Sequence, residues 1–378
     1  MIPYSTQDIN EADVKAVVQT LKSGWLTQGP AIERFEKALA KKVGAKFAVT
    51  FNSGTAALHA AYFSAGITKG DEIIVPALTF AATANAALYL GAKPVFADID
   101  PATGNMSVAD VRKNITKKTK VIVPVDYTGR PADMREFRAL AKKYKLVLIE
   151  DGAQSLGASY RGKKTGSLAD MTIFSFHPVK SITTAEGGAV TTNDAEYART
   201  LRLFRSHGIT KEKLYLRRNE DGGWHMEMHA LGFNYRMPDI LAALGESQLK
   251  RLDSFIAKRR AAAKRYGSLL KNIPGVVLPL DERAFERSAW HLYTLRLKDP
   301  SKRRAVFDSL RSQGIGVQVH HIPVHTHPLY EDLGYSQKLC PKTQAFVAAE
   351  ISLPLFAKIT PAQQKRVAEA LRTALKNA

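Results

Sequence analysis

The sequence contains a single cysteine, Cys340, among its 378 residues. One cysteine excludes an internal disulfide and a cluster of thiolate metal ligands, and it is typical of proteins of the reducing cytoplasm. The amino-terminal segment lacks the basic and apolar regions of a signal peptide. The stretch that comes nearest to a membrane span, residues 73–92, contains Pro76 and Asn85 and predicts a strand, a turn and a helix instead. We therefore expect a cytoplasmic protein without a membrane partner.

Acidic residues are few relative to basic ones, 35 against 55, which gives a formal net charge of +20. This excess suits an acidic partner, either a nucleic acid or a small molecule that carries a diphosphate. The basic residues are scattered in short groups such as Lys117-Lys118 and Lys142-Lys143, on predicted helix faces and turns. That distribution favours a solvated surface, and we expect no nucleic-acid partner. A non-catalytic basic binding module is the alternative.

Internal repeats and low-complexity tracts are also lacking, and short apolar strands instead alternate with amphipathic helices. The predicted strands are residues 47–51, 72–75, 94–97, 120–124, 146–149, 172–176 and 188–191. Continuous apolar strands between helices indicate an α/β fold with a mostly parallel central sheet that is covered on both faces. We predict a large domain over residues 1–250 and a smaller C-terminal α/β domain over residues 251–378, bridged by one long helix over residues 238–270.

A lysine and a carboxylate follow two of these buried strands. The run 172–176 would carry Ser175 and Lys180 to its carboxyl end, and Asp151 ends the run that begins at residue 145. A lysine taken alone is better explained as an ordinary salt-bridged residue. Together with Asp151, however, Lys180 suits pyridoxal phosphate, whose aldehyde needs an amine and whose pyridinium nitrogen needs a carboxylate. Burial would lower the pKa of the Lys180 amine enough for it to react.

The phosphate of such a cofactor needs a site of its own. Residues 52–56, Asn-Ser-Gly-Thr-Ala, precede a helical pattern and offer free backbone N–H groups together with a hydroxyl. The same residues are also consistent with a plain helix N-cap.

Eight segments in order along the chain resemble the DegT-type sugar aminotransferases, a fold-type-I (aspartate aminotransferase-like) pyridoxal-phosphate family that acts on nucleotide sugars. They are residues 24–29 (GWLTQG), 51–55 (FNSGT), 76–80 (PALTF), 150–154 (EDGAQ), 175–180 (SFHPVK), 186–188 (EGG), 205–208 (RSHG) and 232–236 (GFNYR). Some relatives carry histidine at the position of Lys180 and are dehydratases, so the lysine here favours an aminotransferase.

The resemblance implies a set of site residues. Lys180 and Asp151 would be catalytic. Phe80, which taken alone is better explained as a core residue, would stack on the cofactor ring. The remaining cofactor contacts would be Thr55, Ala56, Gln154, Ser175 and, from a neighbouring subunit, Asn234. The substrate would contact Tyr4, Trp25, Leu26, Thr27, Arg236, Gln318, Val319, His320, His321 and Tyr330. The active site would then need two chains, and we expect a homodimer.

Histidine clusters raise the question of a metal ion. His225 and His229 have no third ligand at a useful spacing. We also predict a strand over residues 316–319. In a strand, neighbouring side chains such as those of His320 and His321 point to opposite faces and do not easily share an ion. We expect no metal.

The resemblance also implies a reaction and a substrate. Residues 125–129, 204–208, 318–321 and 350–354 look most like the pseudaminic acid branch of the family. This branch implies transfer of an amino group from L-glutamate to C4 of UDP-2-acetamido-2,6-dideoxy-β-L-arabino-hex-4-ulose, for flagellar or surface glycans. Another nucleotide-linked keto sugar, aminated at C4 or C3, is the alternative.

Overall fold

The computed structural model describes residues 1–218 and 222–378. In those residues the α-helices are α1 Glu11–Leu21, α2 Pro30–Val43, α3 Gly54–Ser64, α4 Ala82–Leu88, α5 Val108–Asn114, α6 Met134–Tyr144, α7 Ala195–Arg205, α8 Asp239–Leu249, α9 Leu252–Leu270, α10 Arg303–Ser312, α11 Pro328–Asp332, α12 Pro341–Ala349 and α13 Pro361–Asn377. The strands are β1 Phe47–Phe51, β2 Glu72–Pro76, β3 Lys93–Ala97, β4 Thr119–Ile122, β5 Val147–Asp151, β6 Ser159–Tyr160, β7 Lys163–Lys164, β8 Met171–Ser175, β9 Gly188–Thr192, β10 Ile209–Thr210, β11 Glu227–Met228, β12 Val276–Val277, β13 Glu286–Arg287, β14 Tyr293–Leu297 and β15 Glu350–Leu353.

Seven strands form the central sheet, in the order β1-β9-β8-β5-β4-β2-β3. Only β9 runs antiparallel to its neighbours β1 and β8, and the other pairs are parallel. Residues of the strands are almost all buried, as expected for a parallel sheet covered by helices on both faces. The predicted α/β class with a mostly parallel central sheet is therefore confirmed.

The carboxyl ends of the parallel strands bring together segments that are far apart in the sequence. β1 leads into α3 at Gly54, β5 ends at Asp151, and β8 ends at Ser175, five residues before Lys180. Ligand sites of open α/β sheets gather along this edge. The edge therefore sets the position of the candidate site.

The C-terminal part of the chain builds a second, smaller unit. Strands β12, β14 and β15 form an antiparallel sheet, and α9, α10 and α13 pack on one another beside it. Their apolar side chains form a separate core that also takes in Ile2 from the amino terminus. Boundaries at residues 1–250 and 251–378 remain our proposal for the two domains.

The predicted single helix over residues 238–270 is wrong. The structure has two helices, α8 and α9, separated by Lys250 and Arg251. α8 packs against α1 and α2, whereas α9 packs against α13, so the break lies where the packing partner changes. Arg251 at this junction pairs with Asp8 and Asp13.

The strand predicted over residues 316–319 is also absent from the described structure. The N–H of Gly316 donates to the carbonyl of Ile2, and Gln318 pairs with Ser352 in an isolated bridge. Because the backbone hydrogen bonds of this segment are divided between two partners, no regular ladder forms. Among the described residues, no helix is long and apolar enough to cross a bilayer.

Candidate active site

A cavity of about 400 Å³ opens at the carboxyl edge of the central sheet. It lies between this edge and the C-terminal unit, because residues of both line its wall. The predicted site residues in that wall are Tyr4, Thr55, Phe80, Asp151, Gln154, Ser175, Lys180, His320 and His321. The fold therefore brings nine predicted residues to one place.

Lys180 lies in the turn after β8, where its N–H donates to the carbonyl of His177 at 2.9 Å. Its amine makes no hydrogen bond or ion pair with any residue that the structure describes, which argues against an ordinary salt-bridged lysine. Burial lowers the pKa of Lys180 to about 8, and the negative charge of Asp151 opposes this shift. The neutral, nucleophilic amine is thus far more populated near neutral pH than it is in an exposed lysine.

Asp151 ends β5 and is 3% exposed. Its Oδ2 atom accepts a hydrogen bond from the Thr83 hydroxyl at 2.8 Å, and its Oδ1 atom accepts one from the N–H of Ala153 at 3.1 Å. Burial raises the pKa of Asp151, whereas these two donors and the charge of Lys180 oppose the rise. The carboxylate is thus fixed in place and faces a site in which a cationic ring nitrogen would stabilise its charge.

The amino terminus of α3 forms one end of the cavity. Ser53 caps the helix, and its side chain accepts from the N–H of Ala56 at 3.1 Å. The capping interpretation is therefore correct for Ser53, while the N–H groups of Gly54 and Thr55 find no acceptor in the described residues. Free N–H groups at a helix start form an anion site, and the Thr55 and Ser175 side chains lie beside it.

Two glycines allow α3 to approach the sheet this closely. A Cβ atom on Gly54 would lie 3.1 Å from the Cβ atom of Ser175. A Cβ atom on Gly188 would lie 2.5 Å from the carbonyl oxygen of Ser53. Small residues at both positions therefore place the helix start next to the Ser175 hydroxyl.

Phe80 and Gln154 face the same space from two other elements. Phe80 is 64% exposed in the single chain, so it is not a core residue. The Oε1 atom of Gln154 accepts from the N–H of Thr128 at 2.7 Å, which leaves the side-chain NH₂ group without a partner among the described residues. An unpaired donor and an open aromatic face in one cavity indicate a planar ligand that carries an oxygen acceptor.

Other predicted residues lie elsewhere in the single chain. Trp25 lines a different groove, between α1, α2 and α8, and Leu26 and Thr27 continue the same exposed loop. Asn234 is exposed next to Ser206, and Arg236 lies in the same segment, outside the cavity.

Four further predicted residues do not reach the cavity either. Ala56 is buried in α3 directly behind the anion site. Gln318 is exposed, and Val319 packs against the cluster that contains Leu78. Tyr330 is 1% exposed, and its hydroxyl donates to Asn85 at 2.7 Å inside the core. In the single chain, these four residues therefore do not contact a ligand bound in the cavity.

Sequence reasoning missed several residues of the cavity wall, among them Thr83 and His291. Thr83 holds Asp151 from α4, across 68 positions of sequence, and nothing in its local pattern distinguishes it from other threonines. His291 is 4% exposed, and its Nδ1 atom has no hydrogen-bond partner. Burial and the nearby charges of Lys180 and Arg259 hold the pKa of His291 well below its usual range. His291 is placed here by the irregular segment that leads into β14.

Within the described parts of the chain, no group of three histidine, cysteine or acidic side chains is arranged to hold a metal ion. His225 and His229 instead share Glu227, with the His229 ring nitrogen 2.8 Å from a carboxylate oxygen.

The cavity fits pyridoxal phosphate in each of its parts. The free amine of Lys180 and the buried carboxylate of Asp151 match the aldehyde and the ring nitrogen. The start of α3 with Thr55 and Ser175 matches the phosphate. The NH₂ group of Gln154 is available for the phenolic oxygen.

Comparison with known proteins agrees with this chemistry. The model of the DegT/DnrJ/EryC1/StrS aminotransferase family matches residues 7–372. A Campylobacter jejuni protein named UDP-4-amino-4,6-dideoxy-N-acetyl-beta-L-altrosamine transaminase is 40% identical over 377 residues, which cover 98% of this chain and 96% of that protein.

Solved structures of aminotransferases have the same fold. The PMP form of the putative sugar aminotransferase Spr1654 from Streptococcus pneumoniae superposes with a TM-score of 0.94 and 32% identity, over all of both chains. Helicobacter pylori PseC, an aminotransferase of pseudaminic acid biosynthesis, superposes with a TM-score of 0.93 and 35% identity, also over all of both chains. The chain belongs to the DegT/DnrJ/EryC1/StrS family of sugar aminotransferases, and its cofactor is pyridoxal 5′-phosphate.

Proposed function

We propose that this aminotransferase moves an amino group from L-glutamate to C4 of a UDP-linked 4-keto-6-deoxy-N-acetylhexosamine, UDP-2-acetamido-2,6-dideoxy-β-L-arabino-hex-4-ulose, in the synthesis of pseudaminic acid for surface glycans. The observation that carries the chemistry is the unpaired amine of Lys180 in one cavity with the buried Asp151 and the start of α3. The choice of sugar rests on the similarity to the Campylobacter jejuni transaminase.

Each side chain of the cavity would have its own role in the reaction. Pyridoxal phosphate supplies an aldehyde that takes up the amino group and a ring that withdraws electrons from the reacting carbon. Lys180 would hold the cofactor between turnovers, take the proton from Cα of glutamate in the first half of the reaction and deliver a proton to C4 of the sugar in the second. Asp151 would hold a proton at the ring nitrogen, and Phe80 would stack on the ring. Thr55, Ser175 and the N–H groups at the start of α3 would bind the phosphate.

We also propose that the working enzyme is a homodimer with shared sites. Within one chain, Trp25 and Leu26 are 56% and 49% exposed, and Asn234 is exposed outside the cavity. A second copy that placed its Asn234 and Arg236 at the cavity would give these residues the roles that the family implies. The loop of residues 25–27 would then face the sugar.

Hybrid dimers test this arrangement. In a mixture of Lys180→Ala and Asn234→Ala chains, a hybrid dimer would contain one site with both defects and one site with neither. We expect each variant alone to be inactive or weak and the reassembled mixture to regain activity. If the two residues act within one chain, mixing will restore nothing.

Absorbance spectroscopy tests the function itself. The purified protein should show a visible cofactor band that Lys180→Ala lacks and that the exposed-lysine control Lys163→Ala keeps. L-glutamate should bleach the band, and the 4-keto UDP-sugar should restore it with formation of a 4-amino product, identified by NMR. A band that does not recover on this sugar would refute the substrate, and recovery on a 3-keto sugar nucleotide would point to the alternative 3-amino pathway. Absence of a lysine-dependent band would refute the whole proposal.

A further inference from the structure

A hydrogen-bond chain runs from the second, smaller sheet to the wall of the cavity. The hydroxyl of Ser352 lies 2.5 Å from Oε1 of Glu350 and 2.8 Å from Nδ1 of His320. The other oxygen of Glu350, Oε2, accepts from the backbone N–H of His320 at 2.9 Å. Glu350 and Ser352 are both fully buried, and only His320 reaches the cavity. The sequence marks the segment 350–354 by its resemblance to one branch of the family but assigns neither buried residue a role.

This hydrogen-bond chain leaves one ring nitrogen of His320 available to a ligand. Its Nδ1 is bonded to Ser352, whereas its Nε2 has no partner among the residues described. The ring is further held by the Tyr4 ring at a centroid distance of 5.3 Å, and its carbonyl accepts from the Tyr127 hydroxyl at 2.5 Å. Burial lowers the pKa of His320 to about 4, so the imidazole is neutral and one of its two nitrogens carries the hydrogen.

We propose that Glu350 and Ser352 are positioning residues that decide whether Nε2 of His320 donates or accepts a hydrogen bond to the nucleotide sugar. When Glu350 is protonated, its hydrogen must sit on Oε1, because Oε2 already accepts from the backbone. Glu350 then donates to Ser352, Ser352 donates to Nδ1, and Nε2 carries the hydrogen. When Glu350 is ionised, each bond reverses, and Nε2 becomes an acceptor.

The donor form is the one that suits a keto sugar, because a carbonyl oxygen can only accept. The inference therefore rests on the proposed function and specifies which residues act on the oxygen of the sugar. Glutamate brings no carbonyl group of this kind, so the first half of the reaction should be insensitive to the chain.

The surroundings of the chain are mixed in charge. Lys180, His291 and His321 face His320 from the cavity side together with Tyr4. Arg303 and Tyr127 lie near Glu350. Burial raises the pKa of Glu350 to about 8, and the donors Ser352 and His320 N–H, with the charge of Arg303, oppose the rise. The donor form thus dominates below about pH 8.

Glu350→Gln provides an isosteric test. The glutamine oxygen must face the backbone N–H of His320, so the glutamine NH₂ group faces Ser352. The hydrogen-bond chain is then fixed in the form in which Nε2 of His320 is a donor. In the native enzyme, the rate of the sugar half-reaction should fall as the pH rises through about 8. In Glu350→Gln the fall should be absent. The titration of Lys180 affects both proteins and cancels in the ratio of their rates.

Ser352→Ala interrupts the hydrogen-bond chain between Glu350 and His320 without adding a charge. We expect the sugar half-reaction to slow by roughly tenfold, while bleaching of the cofactor band by glutamate stays unchanged. The matched control is Ser247→Ala, which removes another buried serine hydroxyl that donates to a carboxylate, that of Asp13, outside the cavity. Both half-reactions of that variant should be native.

The two proposals fail in different ways. If glutamate does not bleach a lysine-dependent band in the native protein, the proposed function is wrong. If bleaching is normal but Glu350→Gln keeps the native pH dependence of the sugar half-reaction, the positioning role is wrong. An equal loss of both half-reactions in Ser352→Ala would assign the hydroxyl to general stability and would also overturn the inference.

Discussion

The hydroxyl of Thr83 donates a 2.8 Å hydrogen bond to Oδ2 of Asp151. Thr83 lies in α4, whereas Asp151 ends β5 in the middle of the sheet. The bond favours the ionised carboxylate, because a donor to the charged form lowers the pKa of an acid. The cofactor end of the site therefore depends on a residue contributed by a different segment of the chain.

Thr83→Val should weaken cofactor binding. The substitution keeps the shape of the buried side chain but removes a hydrogen bond to a charged group, so the affinity for pyridoxal phosphate should fall by about tenfold. Titration of the cofactor-free protein, followed by absorbance, measures this. The control is Thr68→Val, whose hydroxyl donates to the carboxylate of Asp71 at 3.0 Å on the surface. Equal affinity in both variants would contradict the role of Thr83.

The reaction of Lys180 with pyridoxal phosphate should depend on pH in a specific way. Only the neutral amine reacts, so the rate at which the visible band forms should rise with pH and level off above about 8. An ordinary lysine would continue to gain rate up to about pH 10.4. Because the charge of Asp151 raises the pKa of Lys180, Asp151→Asn should move the midpoint to lower pH. A native midpoint near that of free lysine would show that the amine is not desolvated.

Gly188→Ala should destabilise the protein and its phosphate site together. The new methyl group would lie 2.5 Å from the carbonyl oxygen of Ser53 and 2.7 Å from the nitrogen of Gly54, both of which are backbone atoms. We expect a loss of about 1–3 kcal/mol in the free energy of unfolding, measured with urea, and weaker cofactor binding. Gly267→Ala in α9 meets no atom within 4 Å and should be neutral or stabilising. Equal effects at both glycines would refute the packing argument.

Arg259→Met should reduce stability strongly. The guanidinium is 3% exposed and donates to four backbone carbonyls from three segments, those of Val179, Trp290, His291 and Leu355. It has no carboxylate partner among the described residues, so its role is to satisfy these carbonyls where the two units meet. We expect a loss of roughly 3 kcal/mol in the free energy of unfolding. Arg304→Met, at a side chain that is 93% exposed, should change it by less than about 0.5 kcal/mol.

The sequence by itself determined the order of the elements and the chemistry of the cofactor end. Apolar runs of strand length between amphipathic helices specify a parallel sheet, because such strands are buried on both faces. Helix capping is also a local property: the side chains of Asn10 and Thr360 cap α1 and α13 through residues only three positions away. Asp151 could be found because it ends a strand, and Lys180 because it lies shortly after one, and the carboxyl ends of parallel strands meet at one edge.

Tertiary structure alone decided the remainder of the site. The break between α8 and α9 follows from a change of packing partner, which periodicity does not encode. Thr83, His291, Glu350 and Ser352 lie far in sequence from Lys180. Their roles depend on the buried polar groups that the fold places next to them. Local sequence sets the conformation of the backbone, whereas a buried polar atom takes its role from the partner that the fold brings within 3 Å of it.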